Sequence, residues 1–137
     1  MKKLIILTSL LLFSAFASPL FAQHNEFIKE YLERLKKSKE YLILVAETMP
    51  EDKYEFKATP ESMSFSENLM HIGWAMDWHS ESLMGEREAR DWNTDTELKV
   101  DKKSKKEMIA TIDKTFNKTI EFISNFDLNR LEERLDY

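Results

Sequence analysis

Cysteine is absent from this chain of 137 residues, and there are only two glycines and three prolines. Without Cys there can be no disulfide framework, zinc ribbon, iron–sulfur cluster or cysteine nucleophile. So little Gly and Pro, among so much Leu, Glu and Lys, disfavours β-sandwiches, barrels and Gly-rich phosphate loops. The apolar share, 42%, is too high for a disordered chain, and the length allows one domain. What these absences leave is a small all-α domain.

The N-terminus reads separately. Met1-Lys2-Lys3 is basic, Leu4 to Phe13 is almost continuously apolar, and Ser14-Ala15-Phe16-Ala17-Ser18 is rich in small residues. That order is the layout of a secretory signal peptide. Residues 1–22 are therefore expected to be a signal peptide and 23–137 a helical domain in the periplasm or outside the cell. Ala15-Phe16-Ala17 and Leu20-Phe21-Ala22 offer two cleavage sites. The second is preferred because it lies closer to the first amphipathic segment. The alternative is an uncleaved anchor, since Leu4–Ala22 approaches the ~20 residues that cross a bilayer. Ser14, Ser18 and Pro19 weaken that alternative.

Loss of Lys2 and Lys3 leaves 18 basic residues against 25 acidic ones, a net charge of −7 instead of −5. Such a chain repels a phosphate backbone unless its basic residues cluster. Lys36-Lys37-Ser38-Lys39 and Lys102-Lys103-Ser104-Lys105-Lys106 do cluster, but acidic residues flank both and aromatics interleave neither. They read as solvated helix faces. Nucleic acid is not an expected partner, nor is a stable membrane association after signal cleavage.

Three helices are legible. The first spans about Glu26 to Met49, with Ile28, Leu32, Leu35, Leu42, Val45 and Met49 in one stripe, and Pro50 ends it. The second opens at the capping box Ser64-Phe65-Ser66-Glu67 and ends near Gly85, a residue suited to a left-handed cap. Its stripe is Phe65, Leu69, Ile72, Met76, His79 and Leu83. The third opens at Ser104-Lys105-Lys106-Glu107 and ends near Asn125 and Asp127. Its stripe is Met108, Ile112, Phe116, Thr119 or Ile120, Ile123 and Phe126. The linker 86–103 is long, polar and carries Trp92, and a loop of such length is often functional. Leu128–Tyr137 reads as one or two helical turns or an extended lead-in. Met70, Trp74 and Trp78 fall away from the second helix's stripe, which suggests a face waiting for a fourth helix.

Three histidines are present. His24 falls in the expected tail. His79 lies within the apolar stripe and is expected to be the more buried, a core histidine with one hydrogen-bond partner. His71 lies off the stripe with Asn68, Ala75 and Trp78, as a surface or second-interface histidine. Glu67 and His71 are four apart and could both reach a metal, but Glu67 is engaged in the capping box. No Glu-x-x-His pair, no His-Glu-x-x-His and no Ser–His–acid set stands out. From its residues alone the chain is an exported helical domain without an assigned activity.

Ser64-Phe65-Ser66-Glu67-Asn68-Leu69-Met70-His71-Ile72-Gly73-Trp74-Ala75-Met76-Asp77-Trp78-His79 resembles the DinB family of bacterial four-helix proteins. Met49 to Glu61 is similar to that family's link between helices one and two, and the resemblance runs from about Phe27 to Tyr137. It implies a four-helix bundle with a long crossover, holding a divalent metal, zinc or nickel, on three histidines. His71 matches the first ligand position. The other two belong to a His-x-x-x-His pattern on helix four, and no residue here matches them. The expectation is a DinB-like up-down bundle with three long helices present and the fourth missing. The chain would then be a fragment or a degenerate relative, its metal site incomplete and no metal held by the chain as given. Trp74, Trp78 and His79 would line or support the pocket.

Relatives include thiol-dependent transferases and isomerases in which a metal acts as Lewis acid. Export fits poorly with cytosolic thiol cofactors, so no reaction, catalytic residue or enzyme class is assigned. The partner expected is an unidentified small molecule, with a homodimer as an open option. A second reading is a non-enzymatic exported module, binding or chaperone-like, whose Met, Phe and Trp side chains meet a partner's apolar surface.

Overall fold

The computed structural model describes residues 26–131. The expected signal peptide 1–22 with its two candidate cleavage sites, His24 and the stretch 132–137 lie outside the described residues. Three long helices carry the fold: α1 (26–48), α2 (Phe65–Asp77) and α3 (Lys105–Ser124). A π-helical segment, Trp78–Met84, continues α2, and single 3-10 turns lie at Glu51–Lys53 and Leu128–Arg130. No strand and no fourth long helix occur among the described residues, so the all-α reading holds.

Both capping boxes form as read. Ser64 Oγ accepts from the Glu67 backbone N–H, and Ser64 N–H donates back to Glu67 Oε2 at 2.6 Å. Ser104 and Glu107 repeat the arrangement at α3. Each box satisfies backbone donors that the first helical turn leaves open. Ahead of α2, Tyr54 plugs the bend between α1 and α2. Its ring meets Phe65 edge-on at 5.0 Å, and its hydroxyl donates to the Ala46 carbonyl at 2.7 Å. Lys105 Nζ donates to the Glu47 and Met49 carbonyls, placing a cation at the C-terminal end of α1.

The core gathers Leu35 and Ala46 of α1, Tyr54, Leu69 and Met70 of α2, and Met108, Ile112 and Phe116 of α3. The α3 stripe is as expected, with Thr119 and Ile123 also buried. The α2 stripe is not. Its buried positions are Ser66, Leu69, Met70, Gly73 and Asp77, followed by Ser80, while Ile72 is exposed. Close approach explains the change. A Cβ on Gly73 would stand 2.9 Å from Ile112 Cδ1, so glycine lets α3 press against this face of α2. Seven residues on, Ser80 Oγ meets Thr119 Oγ1 at 3.2 Å.

His79 is corrected as well. It is exposed, not a core histidine, and touches the Trp78 ring edge at 4.9 Å. It lies seven residues, about two turns, beyond the exposed Ile72 and on the same side, whereas the buried face runs through Gly73, Asp77 and Ser80. Gly85 is not left-handed either. It has φ −92, and Glu86 takes the positive φ of 60 instead. Glycine is needed at 85 because a Cβ there would stand 2.7 Å from the Glu81 carbonyl oxygen.

The tryptophan face of α2 is not bare. Met70 is buried, and Trp74 and Trp78 are half-buried. Part of the cover comes from the linker. Among the described residues half of the exposed large apolar side chains, Phe27, Tyr31, Tyr41 and Leu44, sit on α1.

Candidate functional site

Glu67, His71, Trp74 and Trp78 follow one another at spacings of four, three and four, one stripe along α2. The linker 86–103 is folded against that stripe by a charge cluster around Asp77. Asp77 is 5% exposed, in the middle of an otherwise apolar run. Its carboxylate accepts hydrogen bonds from both terminal nitrogens of Arg87 and, at 3.0 Å, from Arg90 Nε. Arg90 then donates through Nη1 to Asp95 at 2.7 Å and through Nη2 to Glu97 at 2.9 Å. Lys114 of α3 closes the chain on Glu97 at 2.9 Å. A buried carboxylate is tolerated where such partners surround it.

The cluster shifts the titration of its members. Burial works against the Arg90 charge, but the hydrogen bond to Asp95 and the charge of Asp77 outweigh it and raise the group above its ordinary value. Burial likewise opposes the Asp95 charge, and its bond from Arg90 and the Leu98 and Glu97 N–H groups overcome that and lower its pKa. The Lys114 bond, opposed by burial and reinforced by Arg90, holds Glu97 low.

Between Arg90 and Asp95 the linker turns on Asp91, whose carboxylate accepts from Asn93 N–H and Thr94 Oγ1. The turn carries Trp92 onto α2. The Trp92 ring stands edge-to-face with Trp74 at 4.5 Å and with His71 at 5.9 Å. His71 is exposed, and its ring nitrogens carry no hydrogen bond among the described residues. Beside this cluster lies a pocket of about 290 Å³, walled by Met63, Met70, Trp92, Leu98 and Val100.

The structure thus brings His71 and Trp74 together and leaves His79 with Trp78. Sequence reasoning missed Asp77, Arg87 and Arg90. A lone acid inside an apolar helical run, followed by two arginines within about one linker's reach, was the available signal.

A family model for the DinB superfamily matches residues 34–137. The chain belongs to the DinB superfamily. Comparison with curated proteins and with solved structures finds no match. For this DinB-superfamily chain, the resemblance implied a metal on three histidines. Among the described residues no three His, Asp or Glu side chains are grouped to hold an ion. Glu67, the nearest helical neighbour of His71 by spacing, is held by Ser64 N–H and paired with Lys57 at 3.5 Å. The described residues offer two exposed imidazoles, His71 beside Trp92 and His79 beside Trp78, which are not grouped with a third ligand and do not fit a closed metal site.

Proposed function

We propose that this DinB-superfamily protein works outside the cytoplasm and binds a small molecule, and that His71 serves as one of three ligands to a divalent metal of the zinc or nickel type only where two further histidines complete the site. The supporting observation is the state of His71: exposed, steadied by the Trp92 edge, and free of hydrogen bonds among the described residues. Imidazole nitrogens so exposed are common metal ligands. One imidazole does not make a catalytic centre, which wants about three protein ligands. No reaction step is assigned.

In a version of the protein that supplies the two further histidines, metal retained after zinc or nickel loading and gel filtration is expected to fall in His71→Ala and to stay unchanged in His79→Ala. Equal retention in wild type and His71→Ala overturns the ligand assignment. Export rests on Lys2-Lys3, the apolar run and the small residues before Gln23. Among the described residues no helix is long and apolar enough to cross a membrane. An exported product beginning at Ser18 or Gln23 supports the reading, and retention of Met1 in a cytoplasmic product overturns it.

The second reading, a non-enzymatic binding or chaperone-like module, draws support from α1. Phe27, Tyr41 and Leu44 are each more than half exposed, at 59%, 70% and 59%. Sedimentation of the mature chain separates the readings. A monomer that binds no apolar dye counts against the module and against a homodimer.

A further inference from the structure

The pocket beside Trp92 already holds a cation of the protein's own. Lys99 Nζ lies over the Trp92 ring, 5.3 Å from its centroid. Its hydrogen bond to the Asn93 carbonyl is long, 3.4 Å. The indole face therefore attracts a positive charge, and the charge now there is loosely held.

The rest of the lining has the opposite sign. Glu67 and Asp101 are two carboxylates in the lining against the single Lys99 ammonium, with Lys57 paired from outside the lining to Glu67 Oε2 at 3.5 Å. The Ser64 N–H that caps Glu67 Oε2 holds this carboxyl below the usual range, so it is ionised at neutral pH. Glu67 Oε1 has no hydrogen bond, and Asp101 no ion pair, among the described residues. The remaining walls, Met63, Met70, Leu98 and Val100, present methyl, methylene and thioether groups. Such walls suit a methylated ammonium. A bare ammonium is strongly hydrated and would lose water against them without gaining hydrogen bonds.

We propose that this pocket binds a small quaternary ammonium compound, its cationic head over Trp92 in place of the Lys99 ammonium and facing the carboxylates of Glu67 and Asp101. Exchange of one cation for another leaves the charge balance of the pocket unchanged. Lys99 acts as a tethered competitor that swings into solvent when the ligand enters. His71 does not line the pocket, so the proposal does not rest on the metal reading.

The test is titration of the mature chain with choline and with its uncharged isostere 3,3-dimethylbutan-1-ol, followed by tryptophan fluorescence and calorimetry with EDTA present. The chelator separates failure here from failure of the metal assignment. Choline is expected to bind about tenfold more tightly than the isostere, the range of a desolvated cation–π contact. Lys99→Ala is expected to tighten choline about threefold by removing the competitor. Glu67→Gln keeps the capping box, because Gln serves at that position, yet removes the charge. It is expected to weaken choline and leave the isostere unchanged, with helical circular dichroism as the folding control. Trp92→Leu is expected to abolish the preference for choline. Equal binding of choline and isostere, no saturable choline titration, or weaker choline binding by Lys99→Ala each overturns the proposal.

Discussion

Arg90 Nε stands 3.0 Å from Asp77 Oδ2 while the same guanidinium reaches Asp95 and Glu97 with its other nitrogens. One side chain thus ties α2 to both sides of the turn that bears Trp92. Asp77→Ala leaves Arg87 and Arg90 without their shared carboxylate and is expected to destabilise the fold by about 3 kcal/mol. Urea denaturation measures the loss. The Trp92 emission should also shift toward that of a solvated indole before global unfolding, because the linker is released first.

Acidification should act on the same cluster. Asp95 and Glu97 have folded pKa values below their ordinary 3.8 and 4.5. A lowered folded pKa stabilises above the unfolded value, and the benefit is lost as pH falls through the folded one. Stability is therefore expected to hold down to about pH 5 and to decline progressively below it. Glu67 and Glu107 in the capping boxes shift in the same direction, and the bonds from Ser64 and Ser104 are the cause. Glu97→Gln should flatten the decline, seen as a smaller change in urea midpoint between neutral and acidic buffer.

Gly73→Ala sets two effects against each other. Alanine favours a helix over glycine by about 1 kcal/mol, whereas overpacking a filled core costs about 1–3 kcal/mol. Ile112, the side chain in the way, is 1% exposed and has little room to yield. A net destabilisation of about 1 kcal/mol is expected. Ile112→Val removes the Cδ1 atom that the new methyl meets, so the double variant should be more stable than Gly73→Ala alone.

Tyr54→Phe keeps the ring against Phe65 and deletes one donor. The Ala46 carbonyl loses the hydroxyl 2.7 Å away inside the core. The expected loss is about 1–2 kcal/mol in thermal or urea unfolding, without change in helical content.

The sequence was most legible where backbone demands are local. Ser64 with Glu67, and Ser104 with Glu107, marked both helix starts to the residue, because capping is chemistry within one turn. The α3 face was legible because its buried positions are mostly apolar. The α2 face was not. Gly73, Asp77 and Ser80 are buried through close approach, charge pairing and a hydroxyl contact, none of which registers as hydrophobicity. His79 reads as buried for the same reason: it shares a side of the helix with the apolar but exposed Ile72, while the buried side is marked by Gly73, Asp77 and Ser80. At the candidate site, His71 and Trp74 were named in advance. Trp92 was noticed only as a linker aromatic, since its placement depends on the arginines that fold the linker back.

The Trp78–Met84 segment also sets where the linker 86–103 begins. Its i→i+5 bonding takes up residues that a plain α-helix would carry further along the axis. Deleting one residue from this segment would turn everything after it by roughly a quarter of a turn and draw it back along the axis. Arg87 would then emerge facing away from Asp77, and Trp92 would miss His71. Substitutions at exposed positions of this segment such as His79 should consequently be tolerated far better than single-residue deletions, because there the chain keeps count, whereas Ser80 is fixed by its buried contact with Thr119.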